Sequence, residues 1–126
     1  MSTPEISATL RTFVDRHMMT VDHVALLLDL RAQPTVAQTP TAVARSSRLD
    51  RDVVDRVLAD LLDAQLIRRD GQSYQYSVRP QLTAVVDELA RMYTTMPVTL
   101  IRAIYARPDR AAKSFAAAFR LRKEIE

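Results

Sequence analysis

The chain has 126 residues, 48% of them hydrophobic, with no cysteine, a single glycine and a formal net charge of +3. Its length fits one domain, or one domain with appendages, and its apolar content suffices for a core, while the lack of cysteine excludes disulfides and thiolate chemistry. One glycine also excludes a Walker loop, a Rossmann fingerprint and a Gly-x-Ser-x-Gly elbow, so we expect no enzymatic activity.

The positive charge is concentrated near the C-terminus. Residues 1–100 carry 11 Lys/Arg and 12 Asp/Glu, a net charge of −1, whereas residues 101–126 carry 7 and 3, a net charge of +4. The sequence contains no apolar run long enough to span a bilayer, and its start has no basic segment followed by an apolar block. These features predict a cytoplasmic protein.

The N-terminal part of the chain predicts two helices. Thr3-Pro4-Glu5 is a good helix start, and apolar residues follow at helical spacing to about residues 16–18. Thr20 is suited to cap a second helix, which is strongly apolar and is therefore expected to lie centrally, with its end near Arg31–Ala32. The β-prone run Thr35–Ala37 predicts a short strand.

A helix-turn-helix is predicted next. Thr39 and Pro40 are typical of an N-cap and first helical position, and Ser46-Ser47-Arg48 is interpreted as the turn after this short helix. Asp50 is expected to cap a longer helix that ends near Ala64-Gln65. Its apolar residues recur at three- and four-residue spacing and predict one buried stripe: Val53, Val54, Val57, Leu58, Leu61 and Leu62.

A two-stranded ribbon is predicted after this helix. The runs Leu66–Arg69 and Ser73–Val78 are β-prone, and Asp70-Gly71 between them is a strong signal for a tight hairpin. Gly71 is the only glycine, so we expect the one backbone position with positive φ to lie here.

The C-terminal part predicts further helices. Pro80 is expected to begin one, and Pro97 to break it because a proline inside a helix removes a hydrogen bond and clashes with the preceding turn. A second stretch follows to Tyr105, and a last short helix is expected over Arg110–Lys123.

The progression from Thr39 to Val78 resembles the winged helix-turn-helix domains of bacterial transcription regulators, broadly of the MarR kind. The resemblance is good over about Val21–Val78, and it implies a mostly α fold with a two- to three-stranded antiparallel ribbon and flanking helices. The tail Arg110–Lys123 also resembles that of small uncharacterised bacterial winged-helix proteins, which supplies no mechanism.

The resemblance also implies an organisation of the chain. We expect an N-terminal helix at 1–20, the winged domain at 21–79, a helical region at 80–106 and a basic tail helix at 107–126. In the family, terminal helices commonly build a dimer, so a homodimer through the two helical regions is expected. The alternative is that these helices only close the core of a monomer.

The function implied by the resemblance is DNA-binding regulation of transcription. The turn and its flanks are expected to hold phosphates, the second helix to face the groove, and the wing to flank it. The expected DNA-binding residues are Arg45, Ser46, Ser47, Arg48, Arg51, Asp52, Asp55, Arg56, Arg68, Arg69, Gln72 and Arg79. Arg51 and Arg56 are the best candidates for contacts to base edges.

Residues 50–63 contain five aspartates against two arginines, a net charge of −3 on a helix that would enter a groove lined by phosphates. This charge keeps an alternative open, namely a winged-helix protein-interaction module that does not bind DNA. The aspartate pair one turn apart, Asp52 and Asp55, is interpreted as a solvated acidic face and not as an acid–base pair.

The tail keeps three interpretations open. Its basic residues surround two phenylalanines and would fold back on the acidic surface, grip nucleic acid, or dock on a partner protein. The expected partner-binding residues are Phe115, Phe119, Arg120 and Arg122. No cofactor is expected, and His17 and His23 are interpreted as structural or surface residues because no ligand cluster surrounds them.

Overall fold

The computed structural model describes residues 6–105. They form six α-helices, one 3-10 turn and a two-stranded antiparallel sheet. The elements are α1 (Ala8–His17), α2 (Val21–Arg31), α3 (Pro40–Ser47), α4 (Arg51–Asp63), β1 (Ile67–Asp70), β2 (Ser73–Tyr76), the 3-10 turn (Pro80–Leu82), α5 (Thr83–Thr95) and α6 (Pro97–Tyr105). This is the mostly α winged-helix architecture that the sequence predicts.

Helix α2 is the central element, as its apolar sequence predicts. It contacts α3, α4, α5 and β2, while α1 packs on α5 and α6. Its residues Leu26, Leu27 and Leu30 are fully buried. The terminal helices therefore form one layer and the helix-turn-helix with its ribbon forms another, and α2 joins the two.

The helix-turn-helix is built by α3 and α4. The Thr39 hydroxyl accepts the Ala42 N–H at 3.1 Å, and Pro40 occupies the first helical position, so the predicted start of α3 is confirmed. Val43 is fully buried beneath α3, and Leu49 packs against the core between the two helices. The stripe of α4 faces inward, with its members at 54, 57, 58 and 61 buried.

Two local predictions about these helices are wrong, and a third is confirmed only in part. Helix α1 begins at Ala8, because the Ser7 hydroxyl caps it by accepting the Leu10 N–H at 3.1 Å. Helix α3 continues through Ser47, so the turn begins only at Arg48. Asp50 does occupy the N-cap of α4, but its side chain makes no capping hydrogen bond.

The predicted hairpin is confirmed, whereas the predicted third strand is not. Strand β1 pairs with β2 in a register that sets Ile67 opposite Tyr76. Residues 35–37 form no strand; the ribbon instead gains an isolated bridge in which the backbones of Gln38 and Tyr74 exchange two hydrogen bonds of 2.8 Å. Pairing stops there because Thr39 immediately begins the capping of α3.

Gly71 has positive φ at +62°, as the hairpin prediction requires, but it is not alone among the described residues. Arg48 and Gln65 have φ of 60° and 62°. Both follow helices, where a left-handed residue lets the chain leave the helix axis while its N–H still bonds back. The expectation of a single left-handed position is therefore wrong.

The proline positions behave as predicted, with one refinement. Pro80 begins a 3-10 turn before α5 starts at Thr83, and Pro97 starts α6 after a break at Met96. The tail helix predicted over 110–123, with Phe115, Phe119, Arg120 and Arg122, lies outside the described residues. Within residues 6–105, none of the helices combines the length and apolar character that crossing a bilayer requires.

Candidate nucleic-acid interface

One open cleft lies between the N-terminal ends of α3 and α4 and the wing, which is the ribbon formed by β1, β2 and their turn. We call it the α4–wing cleft. It is lined by Thr39, Pro40, Thr41, Arg51, Asp55, Arg69, Gln72 and Tyr74. The fold thus brings four predicted DNA-binding residues from two separate stretches of the sequence to one surface.

Arg51 is held in this cleft by two hydrogen bonds. As the first residue of α4, it extends one turn along the helix, and its Nε donates to Asp55 Oδ1 at 2.9 Å. Its Nη1 donates to Thr41 Oγ1 of α3 at 3.0 Å. Both side chains of the Arg51–Asp55 ion pair remain about half exposed, at 54% and 51%. The guanidinium is therefore oriented but accessible.

The wing supplies the second cation of the cleft. Arg69 Nε donates to the Gly71 carbonyl at 2.9 Å, and its guanidinium carbon lies 5.8 Å from the centre of the Tyr74 ring. A cation over an aromatic face is attracted by the ring quadrupole, and this contact stiffens the long side chain. Arg69 and Arg51 give the cleft two positive charges against the one negative charge of Asp55.

The remaining predicted residues around the turn differ in their exposure and partners. Arg45, Arg48, Asp52 and Arg56 are exposed. The Ser46 hydroxyl lies 2.8 Å from Asp29 Oδ2, and the half-buried Ser47 hydroxyl donates to the Val43 carbonyl at 2.7 Å. Both serine hydroxyls are thus bound within the protein.

Two predicted wing residues are not among those that line the cleft. Arg68 Nη2 donates to Gln75 Oε1 at 3.0 Å across the ribbon. Arg79 donates through Nη2 to the side-chain oxygen of Gln65, beyond the C-terminal end of α4. These contacts direct the two arginines along the ribbon and towards the far end of α4.

The acidic charge of α4 is divided between its two ends. Asp60 accepts a 2.8 Å hydrogen bond from Nε2 of His23, and Asp63 lines a separate hollow with Arg16 and His17 of α1. Asp55 is paired with Arg51 in the cleft. Two of the five aspartates between residues 50 and 63 therefore face the body of the protein and not the α4–wing cleft.

His23 is a structural residue that the sequence pattern did not identify as a link between helices. It is 4% exposed, and its Nδ1 accepts the Thr20 N–H at 3.2 Å, so Nε2 carries the proton donated to Asp60. This arrangement joins the start of α2 to the C-terminal half of α4. A histidine three residues after a threonine N-cap was the available signal, because that position reaches back to the cap.

Thr41 is a second residue that was missed. It lies exposed on α3, and its only sequence signal is its place two residues after the Thr39 cap. The contact with Arg51 depends on the angle between α3 and α4, which spacing along the chain does not encode.

The site offers hydrogen-bond donors and acceptors rather than groups arranged for reaction. Among residues 6–105, no three histidine, aspartate or glutamate side chains are placed to hold a metal ion. The arrangement presents oriented arginine donors, a carboxylate acceptor and the Gln72 amide on one accessible surface. Such a surface can recognise a polar, anionic ligand.

Comparison with solved structures identifies the fold. A point mutant of MepR from Staphylococcus aureus aligns over 94% of this chain and 88% of its own, with 15% identity and a TM-score of 0.52. A second MepR variant, from a multidrug-resistant S. aureus clinical isolate, aligns over 98% and 100%, with 15% identity and a TM-score of 0.50.

A third MepR structure, described as a transcription regulator of the S. aureus multidrug efflux pump MepA, aligns over 94% and 91% with 14% identity and a TM-score of 0.49. No protein-family model matches the chain, and no curated protein matches it by sequence. The chain thus shares the winged-helix fold of MepR, and the predicted resemblance to winged helix-turn-helix regulators of the MarR kind is confirmed at the level of the fold.

Proposed function

We propose that this chain is a DNA-binding regulator of transcription that acts as a homodimer in the bacterial cytoplasm and has no enzymatic activity. The observation that carries the proposal is the α4–wing cleft, where Arg51 of α4 and Arg69 of the wing share one accessible surface. A winged helix binds a duplex by inserting the N-terminal part of its recognition helix into the major groove while the wing reaches the backbone beside it.

The charge distribution supports this mode of binding. Asp60 is engaged by His23, and Asp63 lies beside Arg16 and His17, so the acidic C-terminal half of α4 is directed away from the proposed duplex. In the N-terminal half, Asp52 lies in the first turn, where the helix dipole favours a negative charge.

The proposed contacts divide into two classes. Arg51 and Arg56 donate to base edges, with Asp52 and Asp55 beside them in the groove. The others contact the phosphate backbone around it: Arg45, Ser46, Ser47, Arg48, Arg68, Arg69, Gln72 and Arg79. Arg68 and Arg79 must leave Gln75 and Gln65 to do so. Ser46 and Ser47 must rotate their hydroxyls away from Asp29 and Val43 to donate to phosphate.

The experiment is a titration of a labelled mixed-sequence duplex by fluorescence anisotropy over a series of salt concentrations. The logarithm of the binding constant should fall linearly with the logarithm of the salt concentration. The slope is set by the number of counterions that the basic residues release. Arg51→Glu should cost about 1–3 kcal/mol, because it removes an oriented donor and adds a charge that repels phosphate. Arg56→Glu should act in the same direction.

Arg11→Glu is the matched control, since it makes the same charge change at an exposed position of α1, outside the cleft. It should change the affinity far less than Arg51→Glu. Binding that is flat with salt and no tighter than about millimolar at low salt would contradict the proposal. That result would favour the alternative of a winged-helix protein-interaction module.

The homodimer is proposed from one face of α6. Val98, Ile101 and Tyr105 are 59%, 37% and 50% exposed and recur at helical spacing, so they form an apolar stripe on the surface of one protomer. A contiguous patch of exposed apolar residues often marks a surface that binds another protein. A second copy of the chain would cover the stripe and set two α4 helices on one duplex.

A further inference from the structure

The presence of Asp55 in the cleft is not explained by affinity for DNA. Its carboxylate is half exposed beside Arg51, on the surface proposed to approach a polyanion. A carboxylate there weakens the attraction for every duplex, whatever its sequence. A residue that reduces general affinity can still improve discrimination between one ligand and another.

The hydrogen bonds of the pair leave specific atoms unengaged. Within residues 6–105, Arg51 uses Nε towards Asp55 and Nη1 towards Thr41, while Nη2 has no hydrogen-bond partner. Asp55 accepts through Oδ1, and its Oδ2 has no such partner in the same part of the chain. The pair therefore presents a fixed donor beside a fixed acceptor.

We propose that the Arg51–Asp55 pair reads a G·C base pair in the major groove, with Arg51 on the guanine and Asp55 selecting the cytosine. This inference rests on the proposed function and adds the base that the site prefers. Guanine presents O6 and N7 as acceptors, which arginine satisfies, and cytosine presents the N4 amino group, from which a carboxylate accepts. The donor and the acceptor of the pair match these two edges.

The distance between the two groups suits a single base pair. The Arg51 Nε and Asp55 Oδ1 atoms are 2.9 Å apart, which is less than the stacking distance of about 3.4 Å between bases on one strand. Groups this close can contact the two bases of one pair. By fixing Nε, Asp55 also positions the guanidinium before the duplex arrives.

The carboxylate excludes other bases by leaving acceptors face to face. Guanine at the cytosine position would turn O6 and N7 towards Asp55, and thymine would turn O4 towards it. In both cases two acceptors meet with no proton between them, and the desolvated carboxylate loses its hydrogen bonds to water. Adenine offers its N6 amino group but sets N7 beside it, so adenine should be discriminated less strongly than guanine or thymine.

The test is selection of duplexes with a randomised core by the full chain, followed by sequencing of the bound pool. The wild type should enrich G·C at one fixed position of each half-site. Asp55→Asn should shift the cytosine of that position towards adenine by roughly tenfold, because an asparagine amide pairs with adenine N6 and N7. Asp55→Ala should bind the unselected pool more tightly than the wild type and lose the preference at that position.

Asp63→Asn is the matched control, because it makes the same change on the same helix at an exposed site in the separate hollow beside Arg16 and His17. It should leave the base preference unchanged. If Asp55→Asn selects the same bases as the wild type, the inference is wrong while the proposed function stands. If neither the wild type nor any variant binds a duplex, both the inference and the proposed function are wrong.

A third outcome is also decisive. Equal gains in affinity for Asp55→Asn and Asp63→Asn, with no change in the enriched sequence, would mean that only the total charge of α4 matters. That result would overturn the base-reading role of Asp55.

Discussion

His17 connects the stability of the protein to pH through its own surroundings. It is the last residue of α1, half-buried, with its ring 5.3 Å from that of Phe13 in an edge-on contact. The pKa of His17 lies below its ordinary value of 6.5, mainly because the side chain is buried and to a smaller extent because of the neighbouring Arg16 charge. The imidazole therefore resists protonation in the folded state.

The sign of the pH dependence follows from this shift. Because the pKa is lower in the folded than in the unfolded chain, the unfolded chain binds the proton more readily. The contribution of His17 to stability is therefore complete above 6.5, declines as the pH falls through 6.5 to the lower folded-state pKa, and declines no further below that value.

We predict that His17→Gln reduces the loss of stability between about pH 7.5 and about pH 5.5, because glutamine does not titrate. Urea unfolding followed by circular dichroism at the two values measures the loss. Arg16→Gln is the companion variant: it keeps the imidazole and removes the smaller cause, so its loss should fall between those of the wild type and His17→Gln. An unchanged loss in His17→Gln would show that other groups carry the dependence.

At the scale of elements, the turn between α3 and α4 stores a local backbone cost. Arg48 adopts φ 60° and ψ 35°, a left-handed conformation that is unfavourable for a residue with a Cβ. We predict that Arg48→Gly stabilises the fold by roughly 0.5–1 kcal/mol, since glycine adopts this conformation without steric cost. Urea unfolding measures the change.

The same glycine substitution has the opposite expected effect inside α3. Ala42 is exposed and helical, so Ala42→Gly should destabilise the protein by about 1 kcal/mol.

Arg48→Gly should also weaken duplex binding and lower its salt dependence by about one released counterion, if Arg48 holds a phosphate. A loss of stability in Arg48→Gly would contradict the left-handed conformation at this turn.

The turn between α3 and α4 also illustrates how far the sequence predicts the fold. Capping residues are read from neighbours along the chain, so Thr39-Pro40, Thr20 and the Asp70-Gly71 hairpin were predicted at their observed places. The left-handed residues at Arg48 and Gln65 were not, because neither is a glycine, the residue that signals positive φ in a sequence.

The lining of the α4–wing cleft was predictable only in part from the sequence, and its arrangement was not. Sequence reasoning selected Arg51, Arg69 and Gln72, and the fold brings them to one cleft. It did not predict that Thr41 orients Arg51, because this contact joins two helices at an angle that no periodicity records.

The same limit applies to the charge of α4. Five aspartates along residues 50–63 appear as one acidic helix in sequence, and only the packing of α2 on α4, with the His23–Asp60 bond, separates them into two groups.

At the scale of the whole molecule, the layer of terminal helices is linked to the layer that carries the cleft. Arg31 at the end of α2 donates to Asp87 of α5 at 2.5 Å, and it lies near the Tyr76 hydroxyl of the wing. Burial raises the pKa of Tyr76, and the Arg31 charge acts against that rise. Arg31 thus joins α5 to the wing, and α6 packs on α5. A dimer interface on α6 would therefore fix the two clefts relative to each other.

Val98→Asp tests this proposed assembly. In light scattering coupled to size exclusion at micromolar concentration, the wild type should have twice the chain mass of 14.3 kDa, and Val98→Asp should shift it towards 14.3 kDa because it buries a charge in an apolar interface. Val36→Asp is the control, since Val36 is 44% exposed in the loop before α3 and this substitution should leave the dimer intact.

A dimer reads two half-sites about 34–36 Å apart, so Val98→Asp should also weaken binding to a duplex that holds both half-sites, but not to a duplex with a single half-site. A wild type at 14.3 kDa would end the dimer proposal while leaving binding by one cleft to be judged by the anisotropy titration.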